Sequence, residues 1–243
     1  MIENDGRLLN KIGVLYKYPY METTRDPGSV NHRIREGLSR IATVMRNEDW
    51  GRAKASGLNP TQLSILELLE GRVDGLTVKE IASNLGVSQP TATDSIAALE
   101  RKELVTKTAD KVDKRSVKVV IAPDGRSILA AERTPGATQD AVSALADDEQ
   151  QEMLISLVKM IRHLQENDAI PIQRMCVSCR YFAPYAHSDA AHSHAAHSHA
   201  AKPHHCHFVD AAFGQRDIRI DCREHEIADP ALRAATWTAF TQG

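Results

Sequence analysis

The cysteines of this 243-residue chain are the residues whose spacing most directly suggests chemistry. All four lie after Pro171, and two of them form a Cys-x-x-Cys pair, in which both thiolates can bind one metal ion. Four thiolates complete a tetrahedral zinc site or hold an iron–sulfur cluster. We therefore predict one metal centre per chain, with zinc as the cofactor and an iron–sulfur cluster as the alternative. Its ligands would be Cys176, Cys179, Cys206 and Cys222.

Other interpretations of the four cysteines stay open. They could form disulfides, which a reducing cytoplasm disfavours, or be unrelated buried thiols, which the polar flanking residues disfavour. A bound zinc ion could also be purely structural. In a thiol oxidoreductase a helix follows the first cysteine of the pair, and residues 180–187, which include Pro184, do not resemble such a helix. A metal-storage tail attached to the rest of the chain is the remaining alternative.

Histidines are concentrated in the same region. Eight of the eleven lie between His187 and His207, where the unit Ala-Ala-His-Ser-His occurs twice. A tract of this kind can bind zinc, nickel or copper weakly, or it can be a tolerated expansion of a loop. His207 and His225 are close to cysteines in the sequence, so they are alternative ligands or hydrogen-bond donors to the ligands.

A second set of residues suits contact with DNA. A short predicted helix ends at Gly86, and the helix after it begins with short polar side chains. The second helix of a helix-turn-helix enters a major groove, where such side chains reach base edges and phosphates. Glutamine can pair with an adenine edge, and the hydroxyls can contact phosphates. The candidate DNA-binding residues here are Ser88, Gln89, Thr91, Thr93, Asp94 and Ser95.

Local charge supports this prediction. The formal net charge of −2 hides a basic segment, residues 101–118, which holds seven basic and three acidic residues. Lys114 and Arg115 lie at the tip of a predicted hairpin in this segment. From there they can reach a neighbouring minor groove, where the negative potential is high, so we count them as DNA-binding candidates.

Local signals define the elements that position these side chains. Helices are predicted from Pro60, from about Val78 to Leu85 and from Ser88 to about Lys102, and strands at 104–108 and 116–121. A hydroxyl, amide or carboxylate side chain lies at the N-terminus of each of the three helices. Its oxygen can accept a hydrogen bond from an N–H group that has no partner within the helix. These caps are Asn59, Thr77 with Glu80, and Ser88.

Two longer amphipathic helices flank this unit. The first contains Ile34 to Met45 and is expected to end near Trp50-Gly51, and the second contains Leu154 to Leu164. Apolar residues recur on one face of each at helical spacing, and such faces must pack against something, so we assign them to a dimer interface. The faces comprise Ile34, Leu38, Ile41 and Met45, and then Leu154, Leu157, Val158, Ile161 and Leu164. Trp237 and Phe240 indicate a last short helix.

Composition excludes several classes of protein. The chain is 42% hydrophobic, enough for a buried core, but its apolar runs are far shorter than a membrane span. The residues after Met1 do not resemble a signal peptide, so we expect a cytoplasmic protein. Neither a phosphate-binding glycine loop nor a nucleophile elbow occurs, and we expect no enzymatic activity.

The segment Leu76 to Leu129, LTVKEIASNLGVSQPTATDSIAALERKELVTKTADKVDKRSVKVVIAPDGRSIL, resembles the MarR family of winged-helix transcription regulators. The resemblance extends from about Val30 to Asn167. The family's wing carries Asp-x-Arg, as at residues 113–115, and its strand end Leu-Thr-Pro-x-Gly is matched by Ile-Ala-Pro-Asp-Gly. Two residues depart from the family's pattern: Glu103 stands where the family usually has glycine, and Lys107 stands where it usually has arginine. Lysine keeps the charge but lacks the guanidinium fork.

This resemblance implies a homodimer, built from the first helix and the last two, that binds a pseudo-palindromic double-stranded DNA operator and usually represses transcription. The expected fold is mainly α with a small β-hairpin wing, a winged helix-turn-helix of α+β type, with a helical dimerisation region and a small irregular metal-binding tail. We divide the chain into an N-terminal arm (1–30), a MarR-like winged-helix DNA-binding and dimerisation domain (31–168) and a Cys/His-rich metal-binding extension (169–243). A metal or redox centre, or a small-molecule effector, could modulate DNA binding.

Overall fold

The computed structural model of the chain describes residues 8–9, 15–16, 28–109, 116–131, 136–187 and 202–242. Within them the fold is mainly helical with a β-hairpin wing, as the sequence predicts, and it contains two further small antiparallel sheets. The helices are α1 (Val30–Ala55), α2 (Pro60–Glu70), α3 (Val78–Leu85), α4 (Gln89–Arg101), α5 (Pro123–Ala131), α6 (Ala137–Ser143), α7 (Asp147–Glu166) and α8 (Pro230–Gln242). The strands are β1 (Leu8–Leu9), β2 (Leu15–Tyr16), β3 (Val105–Ala109), β4 (Val117–Ile121), β5 (Phe182–Ala183), β6 (His204–Cys206) and β7 (Ala211–Phe213).

The caps predicted from the sequence form hydrogen bonds. Asn59 Oδ1 accepts the Gln62 N–H at 2.9 Å, and Thr77 N–H donates to Glu80 Oε2 at 2.8 Å. Gly86 ends α3 with a φ of +64°, a conformation that costs glycine little. The predicted start of α2 at Pro60 and both predicted bounds of α3 are confirmed. These bounds were predictable because the capping bonds join residues only a few positions apart in the chain.

Several elements differ from the sequence prediction. The tail was predicted to be irregular, but its strands β5, β6 and β7 pair into an antiparallel sheet. Helix α1 continues past Trp50-Gly51 to Ala55, because the left-handed residue that ends it is Gly57, whose φ is +66°. The N–H of Leu58 then bonds to the carbonyl of Ala53 at 2.7 Å. Helix α6 was not predicted, and it lies against α1, where Glu48 accepts two hydrogen bonds from Thr138.

The winged-helix core packs α2, α3 and α4 against the β3–β4 hairpin. Leu63, Leu66 and Leu69 of α2 are fully buried there, as the sequence predicts. Leu76 forms an antiparallel bridge with Val119 through two backbone hydrogen bonds, so it lies beside β4 as a third, one-residue strand. Burying a leucine side chain contributes about 2 kcal/mol, so this core holds α4 in place.

The C-terminal extension, residues 169–243, has a separate core. Met175, Val177, Phe182 and Phe240 are buried in it together with Val158 of α7. Helix α8 contains Trp237 and Phe240, which confirms the predicted last helix. The apolar face of α7, assigned from the sequence to dimerisation, therefore packs in part against its own chain.

Two further results complete the fold. Strands β1 and β2 pair antiparallel, and the other residues of the arm before residue 28 lie outside the described residues. Among the described residues, none of the helices has the length and apolar character needed to cross a membrane.

Candidate nucleic-acid interface and cysteine cavity

The exposed side of α4 carries most of the candidate DNA-binding residues. Gln89, Thr91, Thr93 and Asp94 are exposed, while Ala92, Ile96 and Leu99 of the same helix are buried. The apolar side chains of α4 pack into the core. The polar side chains therefore lie together on the side of the helix that faces solvent. Ser95 does not belong to this surface, because it is 8% exposed and lies on the buried side.

Several hydroxyls of this surface already have partners. Ser88 accepts the N–H of Thr91 at 3.2 Å, and the two hydroxyls lie 2.7 Å apart. Thr93 donates its hydroxyl to the carbonyl of Gln89 at 2.9 Å. Ser88 thus acts first as a helix cap, and Gln89 carries the longest exposed polar side chain of the first turn.

The wing candidates are only partly described. Lys114 and Arg115 fall among residues 110–115, outside the described residues, so they stay predictions. Lys107 forms an ion pair with Glu100 of α4 at 2.7 Å. Lys102 donates to the carbonyl of Gly57 at 2.6 Å. Part of the basic segment therefore makes internal contacts that its sequence composition does not show.

The MarR family model matches residues 58–117. This segment is a MarR-family domain. A curated relative, the uncharacterised HTH-type transcriptional regulator YsmB of Bacillus subtilis, is 26% identical over 96 residues, which are 40% of this chain and 65% of YsmB. The match therefore spans less than two thirds of that relative.

Two solved structures are also similar to this chain. The transcriptional regulator BldR from Sulfolobus solfataricus is 25% identical, with 54% of this chain and 94% of that one covered and a TM-score of 0.46. The MepR–DNA complex of S. aureus is 24% identical, with 58% and 99% covered and a TM-score of 0.45.

The apolar stripe of α1, which precedes the MarR-family domain, is open to solvent in the single chain. Ile34, Ile41 and Met45 are 53%, 43% and 48% exposed. On α7, Leu164 is 42% exposed, whereas Val158 is fully buried against the extension. Large apolar side chains exposed together on one helix face are typical of an interaction surface.

The four cysteines of the extension come together outside the MarR-family domain. All of them are free thiols, and all four line one cavity of about 30 Å³. The Cys-x-x-Cys pair occupies a 3-10 turn that adjoins β5, while Cys206 ends β6. The cavity, hereafter the cysteine cavity, is lined by Cys176, Cys179, Tyr181, Phe182, Cys206, Phe208, Phe213, Cys222 and Glu224.

One residue donates to two of these sulfurs. The backbone N–H of Arg219 lies 3.3 Å from Cys176 Sγ, and the Arg219 guanidinium lies 3.8 Å from Cys222 Sγ. Sequence reasoning did not single out Arg219. The only signal was its position three residues before Cys222.

The Cys-x-x-Cys pair does not have the setting of a thiol oxidoreductase. Cys179 itself forms a β-bridge to Ile227, and the short strand β5 follows it instead of a helix. The pKa of the Cys176 thiol is raised to about 11, mainly by burial; the three neighbouring cysteines contribute to the rise and the Arg219 N–H opposes it. Catalytic thiols in such enzymes have a lowered pKa.

The predicted metal centre stays a prediction. Within the described parts of the chain, no group of three or more His, Cys, Asp or Glu side chains could hold a metal ion in its present arrangement. His225 bonds to the hydroxyl of Ser178 at 2.9 Å, and His207 is exposed. The Ala-Ala-His-Ser-His repeats lie in residues 188–201, outside the described residues.

A contact that the sequence did not predict joins the cysteine cavity to the MarR-family domain. Arg174 donates two hydrogen bonds to the carboxylate of Asp221, at 2.6 and 2.8 Å. Its remaining terminal nitrogen donates to the carbonyl of Gly71, which ends α2, at 2.5 Å. Arg223 and Glu70 lie 3.6 Å apart beside it.

Proposed function

We propose that this chain is a sequence-specific, DNA-binding transcriptional regulator that acts as a homodimer. The observation that carries the proposal is the exposed polar side of α4, held by a buried core within a MarR-family domain. In a winged helix-turn-helix this helix enters the major groove, and its N-terminus adds a favourable dipole toward phosphates. Gln89 is the candidate for reading an adenine edge.

The exposed apolar stripe of α1 supports the homodimer. Its isoleucines and Met45 would leave water if a second copy packed against them, and the transfer of apolar surface drives association. A two-fold axis then places two copies of α4 about one helical turn of DNA apart. We therefore expect an operator made of two inverted half-sites.

The test uses the full-length protein. Genomic fragments that the protein retains are sequenced, and a shared fragment is footprinted at physiological salt. We expect a protected pseudo-palindrome with half-sites about 10 base pairs apart, centre to centre. Retention of all fragments alike, or a protected site without two-fold symmetry, would contradict the proposal. Repression stays a prediction, which transcription in vitro from the footprinted promoter tests.

A small-molecule effector stays a prediction, and the fold offers a place for one. A cavity of about 870 Å³ lies between α1, α2, α5 and α6. Glu48, Asp49, Glu67 and Glu70 line it with Arg52, so it favours a cationic or neutral compound over an anion. Compounds that lower operator affinity should therefore do so less in a Glu67→Gln variant.

A further inference from the structure

The cysteine cavity is a feature that DNA binding does not explain. Its thiols come from three separate parts of the extension: the Cys176–Cys179 turn, the end of β6 and the segment before α8. Three of the four, Cys176, Cys206 and Cys222, also line an adjoining pocket of about 130 Å³. Folding thus places four thiols around a space instead of packing them against each other.

The size of this space separates two kinds of metal centre. In a closed zinc site, four sulfurs lie about 2.3 Å from one ion. A space that admits a water molecule keeps its surrounding atoms farther from its centre than that, and a cavity of about 30 Å³ exceeds the ~10–15 Å³ that one water needs. A polynuclear centre, in which each thiolate binds a different metal atom or edge, fits a space of this size better.

The surroundings of the cavity suit an iron–sulfur cluster. Aromatic side chains shield it, namely Tyr181, Phe182, Phe208 and Phe213. Such clusters are held by four cysteine thiolates, and hydrogen bonds to sulfur and limited solvent exposure tune them. Arg219 supplies N–H groups to two of the sulfurs, which stabilises negative charge there.

We propose that Cys176, Cys179, Cys206 and Cys222 hold an iron–sulfur cluster, and that its presence alters DNA binding through Arg174. The second part rests on the proposed function. Arg174 lies two residues before Cys176, and its carbonyl accepts the N–H of Cys222 at 2.9 Å. Its side chain, 15% exposed, links Asp221 to the end of α2. A shift of the cysteine segments on cluster loading therefore acts directly on the MarR-family domain.

The first test needs no variant. Full-length protein purified without oxygen is analysed for iron, zinc and acid-labile sulfide, and its visible spectrum is recorded. We expect iron and sulfide in similar amounts, a brown colour, and bleaching in air. One zinc per chain without sulfide would overturn the proposal, and so would metal-free protein whose four thiols are freely alkylated in the folded state.

Variants then test the ligands. Cys176→Ser and Cys222→Ser should each lose most of the iron and sulfide, while His207→Ala, which changes an exposed side chain beside Cys206, should retain both. Far-ultraviolet circular dichroism checks that the serine variants keep their helices. Full iron and sulfide content in a folded cysteine variant would remove that residue from the ligand set and overturn the four-thiolate assignment.

The link to DNA is measured with the footprinted operator. We expect the loaded and cluster-free forms to differ in affinity roughly 5-fold or more, as for ordinary coupling between sites. In Arg174→Ala, compared at equal cluster content, this difference should shrink toward 1-fold. Equal affinities of the two wild-type forms would overturn the link but leave the cluster assignment intact. Absence of operator binding in every form would contradict the proposed function instead.

Discussion

Arg174 donates a hydrogen bond of 2.5 Å to the carbonyl of Gly71, a residue 103 positions earlier in the chain. Gly71 ends α2 of the MarR-family domain, and Arg174 belongs to the extension. The carbonyl at a helix end has no partner within its helix, so the guanidinium supplies one and carries a favourable positive charge to that end.

We predict that Arg174→Ala destabilises the extension by roughly 1–2 kcal/mol, because the charged hydrogen bonds of a largely buried guanidinium are lost. Trp237 lies in the extension, so its fluorescence during urea unfolding reports the change. Arg180→Ala is the control, since the Arg180–Glu226 pair is more than half exposed and should contribute almost nothing.

A double-mutant cycle tests the same contact from its other side. A Cβ at position 71 would lie 2.7 Å from an Arg174 terminal nitrogen. Gly71→Ala should therefore destabilise the wild type more than it destabilises Arg174→Ala. Equal effects in both backgrounds would show that the two residues do not interact.

We expect Gln89→Ala and Thr93→Ala to weaken binding to the operator more than binding to random DNA. A good base contact contributes about 1–3 kcal/mol, so the loss should be roughly 5- to 150-fold. Fluorescence anisotropy with both DNAs measures it. Thr241→Ala is the control for Thr93→Ala. Each threonine donates its hydroxyl to the backbone carbonyl four residues earlier, but Thr241 lies on α8, outside the proposed DNA-binding surface. Equal losses for operator and random DNA would refute direct base reading by α4.

Lys114→Ala and Arg115→Ala should weaken operator and random DNA alike. A residue that contacts phosphate adds affinity without sequence preference, and its removal lowers the slope of affinity against salt by about one. Binding measured over a range of salt concentrations gives this slope. An unchanged slope in both variants would mean that the wing tip does not touch the DNA backbone.

We predict that Ile41→Glu on α1 converts the dimer to monomers and lowers operator affinity with it. The glutamate carboxylate would have to lose its water in the apolar interface, and this costs more free energy than the packing of the two copies recovers. Sedimentation velocity measures the state of association. Val73→Glu makes the same kind of change at an 85% exposed site in the α2–α3 loop and should leave the dimer intact. A wild-type monomer, or a dimeric Ile41→Glu, would contradict this prediction.

Glu103→Gly should stabilise the protein by about 0.5–1 kcal/mol. Glu103 lies just after the end of α4 and has a φ of +60°. The family that this segment resembles usually has glycine at this position. The left-handed conformation costs an ordinary residue about 1–2 kcal/mol, and part of this gain is offset by the flexibility of glycine in the unfolded chain. Chemical unfolding measures the change. Glu103→Ala keeps the strain and should bring no such gain.

The local elements of this protein were determined by its sequence. Thr77 with Glu80, Asn59 before Pro60, and Gly86 each act within a few residues, so hydrogen bonds between near neighbours decide where α2 and α3 begin and end. The exposed polar side of α4 also followed from helical spacing. Ser95 was the exception, because the core against which α4 packs decides which of its sides is buried.

Only the tertiary structure decided how distant segments meet. The sequence assigned Val158 to dimerisation, but the extension buries it, because one apolar side chain suits a second copy and its own chain equally well. The four cysteines could be counted and spaced, yet their arrangement around a cavity depends on the pairing of β5, β6 and β7. The Arg174–Gly71 contact has no local signal, since long-range contacts depend on which surfaces are brought together by the packing of the whole chain.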